Sequence, residues 1–173
     1  MPLTLYDATV PSLLQILRGS LGWLDKAAAF SAETGKPEAE IMDARLSPDM
    51  FPFNRQVRGF CMHAQLGIAG AMEGLFSPDR TPAPETIGGL KDRVGEAIAY
   101  LEKLSAADME PLIGKPMLFR LGETERAFTA DQFLLSFSQP NFYFHVTTSY
   151  AILRHIGVPV GKMDYLGRQR IAS

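Results

Sequence analysis

Three observations predict one all-α domain built as a four-helix bundle. Four separate segments place apolar residues at steps of three and four, the spacing of one helical face. No sustained alternation of apolar and polar residues marks an extensive sheet. The connections between the four segments are long enough to cross the ends of a bundle. A chain of 173 residues hides roughly 70% of the surface its unfolded form exposes, so it needs no disulfide or metal staple to hold a core. No repeat, low-complexity tract or second domain is visible, and residues 1–173 read as one unit.

The first helix is predicted over 5–33 from Val10, Leu13, Leu14, Leu17, Leu21, Leu24 and Ala28. Asp7 or Thr9 is its expected cap, with Pro11 in the first turn and Gly35-Lys36-Pro37 beyond its end. Pro48 and Pro52 push the residues before them out of helical geometry, so the next stretch is irregular. A second helix over 53–74 buries Val57, Phe60, Cys61, Ala64, Ile68, Ala71 and Met72 and stops before Ser77-Pro78-Asp79. Thr86 precedes a third over 86–104, with Ile87, Leu90, Val94, Ile98, Leu101 and Leu104 at helical spacing. Residues 117–121 and 124–128, around Gly122-Glu123, have the pattern of a short hairpin between helices three and four, over one end of the bundle. The spacing of Thr129 and Gln132 predicts a capping box for the fourth helix, 130–156, which Pro140 must kink or restart and Gly157-Val158-Pro159 must end. A C-terminal segment trails behind it.

Composition excludes several functions. Seventeen basic against nineteen acidic side chains leave a net charge of −2, and without a basic run the chain lacks the electrostatic footprint of a nucleic-acid binder. Every apolar run falls short of the roughly 20 residues that span a bilayer, so no membrane partner is expected. The opening Met1-Pro2-Leu3-Thr4 lacks the basic and apolar regions of a secretory leader, which with a lone Cys61 predicts a cytoplasmic protein. No His-Glu-x-x-His, phosphate-cradling glycine loop or Gly-x-Ser-x-Gly elbow is present.

The candidate chemistry lies with the histidines. His145 falls roughly 40° from the centre of the fourth helix's apolar stripe, so its ring is expected to point inward. Asn141 and Ser149 share its face and form a polar seam along a buried stripe. Two readings stay open: a core histidine hydrogen-bonded to Asn141 or across the bundle, or a ligand-binding or proton-transfer group in a pocket. The 45–56 connection, with Asp49 and Gln56, is expected to supply further polar groups to that pocket. His63 lies roughly 120° from its own stripe and reads as a partly exposed polar residue. Gln56, Gly59 and Gly67 share its side, however, and a helix approaching closely there would bring His63 toward His145. His155, near a helix C-terminus, reads as structural, and Cys61 as inert packing. Zinc or nickel usually wants three strong ligands; His63 and His145 supply two, and Asn141 a weak third.

Tyr143, Thr147, Tyr150 and Arg154 line the opposite face of the fourth helix. A second aromatic stripe on the back of a helix is costly to leave in water, which predicts a homodimer through this face. The competing expectation is coverage by the chain's own tail, through Met163, Tyr165 and Leu166.

The segment from Pro140 to His155, followed by Gly157-Val158-Pro159 and Gly161-Lys162, resembles the uncharacterised DUF1993 family. So do Ala44-Arg45-Leu46-Ser47-Pro48-Asp49-Met50-Phe51-Pro52, Leu5-Tyr6-Asp7-Ala8 and Asp164-Tyr165-Leu166-Gly167, and the likeness spans nearly the whole chain. That family is similar to the DinB and YfiT-like bundles, many of which hold a metal on one histidine of the second helix and a His-x-x-x-His pair on the fourth. The resemblance maps His145 onto the second member of that pair, ahead of Leu153-Arg154 and Gly157, and puts Asn141 where the first would stand. It implies a metal set of His63, His145 and Asn141, or a lost site in a metal-free small-ligand binder or dimeric interaction protein. The relatives of known activity imply thiol-dependent transfer, isomerisation or hydrolysis.

Overall fold

A computed structural model describes residues 2–171. Helix α1 (Leu5–Thr34) opens at Thr4, whose backbone is extended, so the cap lies earlier than either expected residue. The Asp7 N–H donates to Thr4 Oγ1 at 3.0 Å and the Thr4 N–H donates to Asp7 Oδ2 at 3.2 Å, a closed capping box. Starting there places Pro11 in the second turn rather than the first. Val10, Leu13, Leu14, Leu17 and Leu24 are buried as the stripe requires, but so is Trp23, which meets Phe53 and Phe60 edge-on at 6.1 Å. α1 is covered on more than one side, so its buried face is wider than a single stripe.

A short α2 (Glu38–Asp43) leads to α3 (Phe53–Glu73), which packs on both α4 (Ile87–Leu101) and α7 (Gln139–His155). The Gly89 N–H donates to Thr86 Oγ1 at 3.1 Å and so caps α4, which ends three residues before its expected boundary. A single turn, α5 (Ala106–Met109), then leads toward the hairpin. The chain is not all-α. β1 (Leu75–Phe76) pairs in parallel with β2 (Pro116–Leu121), which pairs antiparallel with β3 (Thr124–Thr129) in the register Leu121↔Thr124. The hairpin was legible from its turn and alternation, whereas two residues of β1 carry too little pattern to show.

The fourth helical segment is built in pieces: α6 (Ala130–Phe133), a π-helical turn at Leu134–Ser138, and α7. Pro140 has no N–H to continue an α ladder, and the chain widens into the π turn immediately before it. Thr129 precedes α6 without a side-chain cap bond, so the expected capping box is not formed; Asp131 instead accepts the Gly114 N–H at 3.0 Å. The tail closes with α8 (Lys162–Leu166) against α1, where Gln15 Nε2 donates to the Leu166 carbonyl at 2.9 Å. Among the described residues no helix is long and apolar enough to cross a membrane.

Candidate functional site

α3 turns Gln56, Gly59, His63 and Gly67 toward α7 and the π turn. A Cβ on Gly59 would stand 2.9 Å from His145 Cγ, so only glycine lets that ring lie on the helix. At Gly67 a Cβ would meet Ser138 Oγ at 2.2 Å. These two glycines bring the backbones together, and the imidazoles of His63 and His145 end with their centroids 5.8 Å apart and their planes at 16°. His63 is therefore not the partly exposed residue its angular position suggests; it is only 5% exposed. Close approach at the glycines buried a side chain that lies off the apolar stripe.

Gln56, itself buried, fixes the state of His145. Its Nε2 donates to the Phe51 carbonyl at 3.1 Å, which turns Oε1 to His145 Nδ1 at 2.7 Å. An amide oxygen only accepts, so Nδ1 carries the proton and Nε2 is left with its lone pair. His63 is held in the same sense. Ser138 Oγ donates to the His63 carbonyl at 2.9 Å, and its oxygen faces His63 Nδ1 at 3.4 Å as an acceptor. Burial, with His145 beside it, pushes His63 down to about 3; burial, with the Arg58 charge nearby, pushes His145 down to about 4. Both rings are neutral at pH 7, and the pair offers two Nε2 acceptors.

Phe76, at 5.8 Å, and Phe137, at 5.9 Å, wall His63 on its other sides, and Phe119 packs on both. The small sheet thus lies beside the histidines and helps to dry them. A void of about 10 Å³, about the size of one water, adjoins His63 between Thr9, Leu13, Leu134 and Gln139. His145 is half-buried, with the exposed Phe144 ring edge-on at 5.5 Å.

The other expected site residues are placed differently. Asn141 Nδ2 donates to the Phe137 carbonyl at 2.7 Å and Ser149 Oγ to the His145 carbonyl at 2.9 Å, so both members of the seam bond back to their own helical segment. Asp49 is exposed, accepts the Ser47 hydroxyl, and has no hydrogen bond to His145. Of the connection, only Gln56 reaches the ring. Cys61 is buried, and burial pushes its thiol up to about 12, well away from a reactive thiolate. Ser138 and Arg58 were missed. Ser138 stands seven residues before His145 on the same face, a signal the sequence contains; Arg58 lies off the face that meets α7 and gives none.

These donors do not fit the three-ligand metal centre that the resemblance implies. Among the described residues no three of His, Cys, Asp and Glu gather where they could hold an ion, and Asn141, bonded to the Phe137 carbonyl through Nδ2, has only its weak amide oxygen to add to the two imidazoles.

The outer face of α7 is touched by the chain's own tail. Thr147 Oγ1 and Tyr165 Oη share a hydrogen bond at 3.0 Å, the Tyr150 and Tyr165 rings meet edge-on at 5.7 Å, and Arg154 Nη1 donates to the Val160 carbonyl at 2.8 Å. The tail thus touches part of the face expected to meet a second copy, while Thr147 and Arg154 stay exposed.

A family model described as a domain of unknown function, DUF1993, matches residues 5–166. The fold is similar to the crystal structure of a DinB family member protein from Shewanella denitrificans, at a TM-score of 0.83 and 32% identity over 98% of this chain and 95% of that one. No curated protein matches the chain.

Proposed function

The chain belongs to the DUF1993 family, and from that premise we propose a DinB-like four-helix bundle protein that binds a small ligand at His145 beside a degenerate metal site. In this reading α1, α3, α4 and α7 make the bundle, with the sheet added at its side. The observation that carries it is the 2.7 Å contact between His145 Nδ1 and Gln56 Oε1. A buried glutamine is spent on holding a half-buried imidazole neutral and in one tautomer, which leaves Nε2 to accept from a hydroxyl or amine. The exposed ring of Phe144, edge-on to His145, supplies apolar surface for the ligand's body. Two neutral imidazoles are too few for a resident ion, and no step through a metal is needed for such binding.

Two measurements on untagged protein, prepared without chelator, test this. Elemental analysis is expected to find far less than one zinc or nickel per chain. Nitrogen-15 spectra at pH 7 are expected to show His145 protonated at Nδ1, with its Nε2 resonance moving saturably as benzyl alcohol is added. One retained metal ion per chain, or an Nε2-protonated ring, overturns the reading.

A further inference from the structure

A groove of about 820 Å³ runs between α1 and the segment that follows α8. Its volume falls in the range of small-molecule sites, and His145 is not among its lining residues. The tail that forms one wall is tied to α1 at three points. Gln15 Nε2 donates to the Leu166 carbonyl at 2.9 Å, and Arg170 Nη2 donates to Ser12 Oγ at 3.2 Å. Between them Gly167, at φ 60°, turns the chain so close to α1 that a Cβ there would stand 3.1 Å from Gly19 Cα.

The lining is cationic in a chain whose net charge is −2. Arg18, Arg168 and Arg170 bring three guanidinium groups to it, and no carboxylate is in its wall. All three arginines are exposed, so their charges are open to a molecule in the groove. Arg168 and Arg170 form no ion pair among the described residues. Arg18 meets Glu102 at 2.7 Å, but those side chains are 56% and 49% exposed, and so wet a pair exchanges partners at little cost. Asp7, near enough to feel the Arg170 charge, is engaged by the N–H and hydroxyl of Thr4. Apolar surface lies beside these cations: Pro11, and the side chains of Met163 and Ile171, which are 68% and 82% exposed.

We propose that this groove binds an amphipathic dianion, an organic phosphate monoester with a short aliphatic chain. Two guanidinium groups free of carboxylates match its two negative charges, and its oxygens accept from more than one fork at a time, with Arg18 recruited from Glu102. The chain lies against Pro11, Met163 and Ile171. The groove's fate is separate from that of the ligand proposed at His145.

Hexyl phosphate, kept below micelle-forming concentration, is the probe. Methyl phosphate, which lacks the chain, and hexanol, which lacks the charge, are the comparisons. In spectra of the intact protein the backbone amides of Arg168 and Arg170 and the Met163 methyl are expected to shift together and saturably, at an affinity at least about tenfold above that for either comparison. Arg168→Gln, at an exposed position, should lose about fivefold in affinity for hexyl phosphate and leave hexanol unchanged. Met163→Ser should weaken hexyl phosphate about threefold and leave methyl phosphate as it was. Glu102→Gln, which removes the competitor for Arg18, should strengthen both phosphates. A hexyl phosphate titration of the unaltered protein that leaves those resonances unmoved overturns the proposal. Hexanol binding as tightly as hexyl phosphate also overturns it, as does capture by phosphatidylglycerol vesicles without a response to hexyl phosphate, which assigns the arginines to a membrane surface.

Discussion

The two faces of α7 both make contacts with the rest of the chain, and by opposite means. On the inner face polar groups are dried one partner at a time: Gln56 on His145, Ser138 on His63, with glycines at 59 and 67 setting the distance. On the outer face the segment after the helix touches Thr147, Tyr150 and Arg154 through one ring contact and single hydrogen bonds, with Thr147 and Arg154 still exposed. The difference teaches where specificity resides. An inner-face group that loses its partner is stranded in a dry place, whereas an outer-face group that loses one finds water.

The largest expected effect that separates the faces is acid destabilisation. His63 and His145 have native values of about 3 and about 4 against an ordinary 6.5, so the unfolded chain binds more protons than the native one. The stability this contributes is complete above pH 6.5 and is lost as pH falls through 4 toward 3. His63 alone should account for a loss on the order of 3 kcal/mol between pH 6.5 and 4. Urea midpoints measured across that range should slope in the wild type and lose about half of that slope in His63→Leu, His145 supplying the rest; an unchanged slope would break the picture of a dry inner face.

Gly59→Ala should come next. Its Cβ meets the His145 ring at 2.9 Å, and overpacking there should cost about 2 kcal/mol despite the better helix propensity of alanine. The same variant should disturb the His145 nitrogen resonances, which joins the stability reading to the site. The smallest effect belongs to the tail. Tyr165→Ala removes one shared hydrogen bond and one ring contact at a half-buried position and should cost about 1 kcal/mol, with the His145 resonances unchanged. If Tyr165→Ala instead shifted those resonances, the two faces would be coupled through α7 rather than independent.

The long helices were legible because each keeps a 3.6-residue stripe over many turns, and the hairpin because Gly122-Glu123 sits between two alternating runs. Their ends were less so: Thr4 displaced Asp7 and Thr9 as cap, since any short polar side chain in extended backbone can serve. The inward direction of His145 could be read from its angle. Its bond to Gln56 and the commitments of Asn141 and Ser149 to their own carbonyls could not, because a seam's spacing says nothing about which hydrogen bond each member takes. Likewise the stripe of Tyr143 and Tyr150 could be read from its spacing, whereas the contact of Tyr165 with Tyr150 depends on the path of the tail.

Periodicity, punctuation and composition alone determined that this chain is mostly helical, where its long helices run, which of their faces are apolar, and that His145 points into the protein. These are local properties, set by the repeat of the backbone and the preferences of neighbouring residues. The pairing of His63 with His145, the strand added by Leu75 and Phe76, and the drying of the imidazoles by Phe76 and Phe137 were decided by the tertiary structure. Each depends on how closely two distant segments approach: Gly59 and Gly67 set that distance for the histidines against α7 and the π turn, and Gly70 sets it for Leu75 and Phe76, a quantity that no local pattern contains.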